Sequence, residues 1–110
     1  MITASFYSNA DERKIALSVK GHAGQAERGK DIVCAAASIL TYTLAHIVIH
    51  YAPCMESEPT THLESGDALI SCRCADDDTY AKVSTALEHT RVGFNILAQS
   101  SAQYVRVIDG

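Results

Sequence analysis

One long apolar segment constrains the fold of this chain more than any other feature. From residue 31 to residue 51, apolar side chains recur every three or four positions, and neither glycine nor proline interrupts the run. Pro53 then prevents the helix from continuing far, because proline lacks a backbone N–H and its ring clashes with the preceding turn. We therefore predict one helix from about Asp31 to about Tyr51.

The apolar side chains of this helix cover more of its circumference than one sheet can bury. The residues at helical spacing are Ile32, Ala36, Ile39, Leu40, Thr43, Ile47 and Tyr51, and the stripe is widened by Val33, Leu44 and Val48. The spacing of Ile39, Thr43, His46, Ile47 and His50 requires some of them to lie away from the main core. So wide a stripe indicates two buried surfaces, one against a sheet and one against a partner. A symmetric dimer that packs this helix or an adjacent strand edge against a second copy of the chain would cover the second surface.

Alternating segments predict strands on both sides of this helix. Residues 2–7 and 15–19 alternate apolar and polar side chains around a polar turn at 9–12, which is typical of a β-hairpin. Residues 62–64 and 68–74 predict a second hairpin, with Gly66 in its turn.

A second helix and a last strand complete the predicted fold. Asp76, Asp77 and Asp78 open the helix, where negative charge complements the positive end of the helix dipole. Its predicted apolar face consists of Val83, Leu87, Phe94 and Leu97. It should fade near residues 99–101, before a strand at 104–108. The order ββαββαβ predicts an α+β two-layer sandwich, mainly antiparallel with two helices, in a single domain over residues 1–110.

Charge and composition exclude several classes of function. The formal net charge of −4 argues against direct nucleic-acid binding and suits a basic protein partner. We expect no signal peptide and no segment long enough to span a membrane. The expected location is therefore the cytoplasm, where the four cysteines would be reduced thiols.

A histidine and a cysteine flank a glycine-rich segment. His22 follows the first hairpin, and Cys34 lies in the first turn of the predicted helix, twelve residues later. The positive end of the helix dipole favours a thiolate there, and a nearby imidazole can take or give a proton. Free backbone N–H groups at the helix start could stabilise an oxyanion. This is the chemistry of a cysteine hydrolase, although a small buried cysteine would give the same pattern.

Two further side chains flank the cysteine. Asp31 is three residues before it, so its carboxylate would oppose a thiolate at close range. We interpret Asp31 as a structural N-cap rather than as a third catalytic residue. Ser38 is one turn beyond Cys34 on the same helix face, where it either lines the site or bonds a backbone carbonyl.

The run from Gly21 to Ser38, GHAG-x-A-x-x-GKDIVCAA-x-S, resembles the signature of Prp, the ribosomal-processing cysteine protease family. The resemblance implies that Cys34 is the nucleophile and His22 the general base and acid. It also implies a cytoplasmic homodimer that removes the N-terminal extension of a large-subunit ribosomal protein of the L-twenty-seven type, without a cofactor. Gln25 departs from the family, where an aromatic residue is common. The expected substrate-binding residues are Gly21, Gly24, Gly29 and Ser38, although the glycines could equally serve tight turns.

The remaining cysteines and histidines leave other interpretations open. Cys54, Cys72 and Cys74, with His62, include ligand types for zinc, but their spacing matches no common zinc pattern, so we interpret the cysteines as core thiols and expect no metal. His46 and His50 are four apart on the helix, a spacing that can bind metal, but no HExxH motif accompanies them, so we favour a solvated or partner-facing helix edge. The alternative functions are a non-enzymatic ribosome-assembly or protein-binding module and a thiol-redox or zinc protein.

Overall fold

The computed structural model describes residues 1–24 and 31–109, and its elements follow the predicted order. In chain order they are β1 (Ile2–Asn9), β2 (Lys14–Lys20), α1 (Ile32–His50), a 3₁₀ turn (Ala52–Cys54), β3 (Thr60–Glu64), β4 (Asp67–Arg73), α2 (Asp77–Ser100) and β5 (Val105–Asp109). The predicted α+β class and the order ββαββαβ are confirmed.

The five strands form one sheet in the order β3-β4-β2-β1-β5. Three of its four pairings are antiparallel, and the edge strand β5 runs parallel to β1. The pairing of β2 with β4 sets Lys20 opposite Asp67. This register brings the residues that follow β2 next to the β3–β4 turn, where the candidate site lies.

Both helices pack on the same face of the sheet. The ring of Phe6 on β1 meets that of Phe94 on α2 edge-on, with ring centroids 5.8 Å apart. The alternating apolar residues predicted in the first hairpin are buried, as follows: Ile2, Ala4, Phe6, Ile15, Leu17 and Val19. On β4, Ala68, Ile70 and Cys72 are buried on the same face of the sheet. The predicted apolar face of α2 also packs into this core, through Val83, Leu87, Phe94 and Leu97.

The apolar stripe predicted for α1 is divided between an inner and an outer side of the helix. The exposed fractions of Ile32 and Ile39 are 77% and 64%, so these residues face outward. The residues of α1 that are buried are Val33, Ala37, Thr41, Leu44, Ala45 and Val48. Several of these are small, which lets the helix approach the sheet closely. Because both sides of α1 carry apolar residues, periodicity alone could not distinguish the inner side from the outer one.

The expectation that no segment reaches membrane-spanning length needs correction. By length and composition, the 19-residue α1 could cross a membrane. The core helices of soluble proteins pass the same test, and α1 packs against the sheet through six buried residues. Of the most apolar window of α1, 33% is buried inside the protein.

Both helices begin at an aspartate that caps the first turn. The carboxylate of Asp31 accepts a hydrogen bond from the N–H of Cys34, and that of Asp76 accepts one from the N–H of Thr79. The bond from Thr79 lowers the pKa of Asp76 below its ordinary value, because it stabilises the charged form. Asp76 precedes α2 and Asp77 and Asp78 begin it, so all three aspartates lie at the helix N-terminus, as the sequence predicts.

Candidate active site

A small pocket opens where the end of β2, the start of α1 and the β3–β4 turn meet. Its volume is about 160 Å³. Four of the predicted site residues line it, namely Gly21, His22, Cys34 and Ser38. Gly24 does not line the pocket, and Gly29 lies outside the residues that the structure describes. The fold thus brings the histidine and the cysteine to one cavity.

Cys34 is half-buried in the first turn of α1. The backbone N–H of Ala23 donates a hydrogen bond to its sulfur, with an N···S distance of 3.3 Å. A donor directed at the sulfur stabilises negative charge there, as does the N-terminus of the helix. The surroundings of this cysteine therefore suit a nucleophilic thiolate.

Asp31 is buried next to Cys34 and holds the first turn of α1 in place. Its carboxylate accepts from the N–H of Cys34 at 3.0 Å, and its carbonyl oxygen accepts from the N–H of Ala35 at 3.0 Å. The N–H of Cys34 is therefore occupied by the cap. The expectation that free N–H groups at the helix start serve an oxyanion does not hold for this amide.

His22 follows β2 and is exposed at the pocket wall. Within the two described stretches of chain, its imidazole makes no hydrogen bond. The ring lies against Gly66 of the β3–β4 turn, where a Cβ atom would stand 2.5 Å from Nε2. The N–H of Gly21 donates to the carbonyl oxygen of Gly66 at 2.9 Å, which joins the two segments directly.

The β3–β4 turn also gives the pocket an acidic rim that the sequence analysis missed. Glu64 and Asp67 flank the turn and line the pocket. Asp67 accepts a hydrogen bond from the ammonium of Lys20 at 2.5 Å, and this bond lowers the pKa of Asp67. His62 Nε2 lies 3.6 Å from the same carboxylate. The predicted hairpin was the only feature of the sequence that indicated where Glu64 and Asp67 lie.

Tyr42 links the pocket to a second concave surface. It lines the pocket with 46% of its surface exposed, and it also lines an open groove of about 820 Å³ between α1 and α2. His46, His50 and His89 line the same groove. The predicted partner-facing edge of α1 is therefore part of a surface to which both helices contribute.

The other cysteines lie apart from the pocket. Cys72 and Cys74 are buried, and burial raises the pKa of Cys72 from 9.0 to about 12 and that of Cys74 above its ordinary value. Cys54 is exposed. In the part of the chain that the structure describes, no three side chains of metal-ligating type are grouped closely enough to hold a metal ion.

Comparisons with known proteins relate this chain to one protease family. The family model described as cysteine protease Prp matches residues 1–106. Among curated proteins, no sequence matches this chain.

Solved structures share the fold over the whole chain. A structure of the essential ribosomal processing protease Prp from S. aureus, with a covalently linked product peptide, has a TM-score of 0.74 and 23% identity and covers 100% of both chains. Another structure of that protease, with a substrate peptide, has a TM-score of 0.70 and 22% identity over 100% of both chains. A protein from Streptococcus mutans has a TM-score of 0.69 and 26% identity, covering 99% of this chain and 93% of its own.

Proposed function

This chain belongs to the Prp family of cysteine proteases, and we propose that it removes the N-terminal extension of a large-subunit ribosomal protein of the L-twenty-seven type. One observation carries the proposal: His22 and Cys34 line a single pocket in a chain that matches the protease family over residues 1–106. The S. aureus relative with the same fold is a ribosomal processing protease that binds peptides.

In the proposed mechanism, Cys34 and His22 divide the chemistry of peptide hydrolysis. The thiolate of Cys34 attacks the carbonyl carbon of the scissile bond, and the N–H of Ala23 stabilises the charge on sulfur before the attack. His22 takes the thiol proton and returns it to the leaving amine. Water, deprotonated by the same imidazole, then hydrolyses the acyl-enzyme and regenerates the thiol.

The substrate is proposed to be a basic protein with an extended apolar end. The chain carries a formal net charge of −4, and the carboxylates of Glu64 and Asp67 stand at the pocket rim. This charge suits a ribosomal protein rich in lysine and arginine. Gly21 and Ser38 line the pocket and would contact the peptide there. Since ribosomes assemble in the cytoplasm, we place the enzyme there, without nucleic acid or membrane as a direct partner.

We also propose that the enzyme is a homodimer joined through the outer face of its two helices. Ile39 and Ile49 on α1, and Val92 and Ile96 on α2, are each between 49% and 64% exposed. Soluble monomers rarely leave such an apolar face in water, and a two-fold pairing of the same face would bury it in both copies. The interface would lie away from residues 21–30, so that a peptide can still enter.

The decisive experiment is cleavage of the ribosomal precursor. The wild-type protein should convert it to one shortened product, and Cys34→Ala should not. Cys54→Ala is the matched control, since that thiol is exposed and lies outside the pocket. Binding of the precursor without cleavage by the wild type would favour the alternative of a non-enzymatic assembly module.

A thiol-redox function is less well supported. Redox exchange requires a thiolate, and burial raises the pKa of Cys72 to about 12, which keeps this thiol protonated at neutral pH.

A further inference from the structure

We propose that Gly66, in the turn between β3 and β4, is a positioning residue for the imidazole of His22. The proposal rests on the acid–base role proposed for His22 above. Gly66 is 44 residues away along the chain and belongs to a different hairpin, so no local motif connects the two residues. The fold brings them into contact at the wall of the pocket that also contains Cys34.

The first observation is steric. A Cβ atom on Gly66 would stand 2.5 Å from Nε2, 2.9 Å from Cε1 and 3.1 Å from Cδ2 of His22. Real Cβ atoms essentially never approach other heavy atoms to less than 3.0 Å. Any side chain at position 66 would therefore displace the ring. The bare Cα of Gly66 forms a surface on which the imidazole rests.

The second observation concerns what else holds the ring. Within residues 1–24 and 31–109, no group donates a hydrogen bond to the His22 imidazole or accepts one from it. The orientation of the ring therefore depends on packing. Three atoms of that ring, Nε2 nearest, border the space that a side chain of Gly66 would fill.

The third observation is that the backbone fixes Gly66 relative to His22. Gly21 directly precedes His22, and its N–H donates a hydrogen bond to the carbonyl oxygen of Gly66 at 2.9 Å. Lys20 pairs with Asp67 in the sheet, and their side chains also form an ion pair at 2.5 Å. The surface under the ring is thus held by the β2–β4 register rather than by the turn alone.

Two substitutions separate positioning of His22 from strain in the turn. Gly66 has a φ of +74°, a region that asparagine tolerates better than alanine does. If strain alone mattered, Gly66→Asn would be less damaging than Gly66→Ala. If displacement of the ring matters, Gly66→Asn should be at least as damaging, because its side chain is larger. Circular dichroism and thermal unfolding identify which variants are folded.

We expect both variants to lose kcat on the order of 100-fold, the loss that a misplacement of about 1 Å can cause, with little change in KM. The pH profile of Cys34 alkylation by iodoacetamide should approach that of His22→Ala, since the imidazole no longer supports the thiolate. In the His22→Ala background, Gly66→Ala should leave the pH profile of Cys34 alkylation unchanged, because the displaced ring is already absent.

A folded Gly66→Asn variant with wild-type kcat and alkylation profile would overturn the positioning role. So would a further change in the Cys34 alkylation profile when Gly66→Ala is added to His22→Ala. If His22→Ala itself cleaves the precursor at the wild-type rate, the proposed acid–base role fails as well. If His22→Ala is inactive while both Gly66 variants are fully active, the present inference alone fails.

Discussion

The backbone N–H of Ala23 donates a hydrogen bond to the sulfur of Cys34 across 3.3 Å, joining the segment after β2 to the first turn of α1. This bond ties the residue next to His22 to the proposed nucleophile. The same segment contacts the β3–β4 turn through Gly21. Three parts of the chain therefore meet at one pocket.

Substitution of the proposed nucleophile should abolish cleavage without unfolding the protein. Cys34→Ala removes the thiol and leaves a good helix former in the first turn of α1. Cys34→Ser should also be nearly inactive, because a hydroxyl is a far poorer nucleophile without a stronger base. The measurement is the cleavage rate of the ribosomal precursor beside a circular dichroism spectrum. Normal cleavage by Cys34→Ala would end the protease hypothesis for this site.

Removal of the His22 imidazole should abolish cleavage but leave the Cys34 thiol accessible to alkylation. His22→Ala should cleave no precursor, yet its Cys34 should still react with iodoacetamide, more slowly at neutral pH than in the wild type. His62→Ala is a suitable control, because it removes an exposed histidine that does not line the pocket. Equal cleavage by His22→Ala and the control would contradict a catalytic role for His22.

Thiol labelling at pH 7.5 should distinguish the four cysteines. Cys34 and the exposed Cys54 should react with iodoacetamide in the folded protein, whereas buried Cys72 and Cys74 should react only after unfolding. Mass spectrometry of the labelled peptides gives the order in which the four cysteines react. Rapid labelling of Cys72 in the native protein would contradict the core-thiol interpretation.

The buried thiols also predict a pH dependence of stability. Burial raises the pKa of Cys72 from 9.0 to about 12. Above about pH 9 the unfolded chain loses this proton while the folded chain keeps it, so the free energy of unfolding should decrease as pH rises toward 12. Urea unfolding between pH 7 and pH 10 checks the sign, and Cys72→Ala should weaken the dependence.

Elemental analysis tests the alternative zinc interpretation. We expect no stoichiometric zinc in the purified protein, and chelators should leave both fold and cleavage unchanged. One tightly held zinc per chain would overturn the interpretation of Cys54, Cys72 and Cys74 as ordinary thiols.

The outer face of the helices should control assembly. Sedimentation at micromolar concentration should give about twice the chain mass of 11.8 kDa. Ile39→Glu, on the outer face of α1, should shift the protein to a monomer, because it places a charge in the proposed apolar interface. Ile108→Glu is the matched control, since Ile108 is 42% exposed but lies on the opposite face of the sheet. A monomeric wild type would refute the dimer and leave the active-site proposal intact.

Several features of the fold could be predicted because they depend on short-range pattern. Alternation placed Phe6 and Leu17 on the buried face, and both are fully buried. The aspartates at the start of α2 predicted its first turn, because unsatisfied N–H groups there require an acceptor. Such features follow from residues within a few positions of one another.

Other features depended on contacts between distant segments. The inner side of α1 contains Ala37 and Ala45 rather than Ile32 and Ile39, since close packing on the sheet favours small side chains there. The parallel pairing of β5 with β1 joins the two ends of the chain and has no local signal.

The sequence by itself determined the order of elements, the hairpins and the spacing of His22 and Cys34, because each of these depends on local backbone preferences and nearby side chains. Only the tertiary structure decided that Gly66 lies under the His22 ring and that Glu64 and Asp67 form the rim of the pocket. His22 follows the β1–β2 hairpin, whereas Glu64, Gly66 and Asp67 belong to the β3–β4 hairpin. Their contact depends on the register between β2 and β4, which is set by burial of the whole sheet face and by no short segment alone.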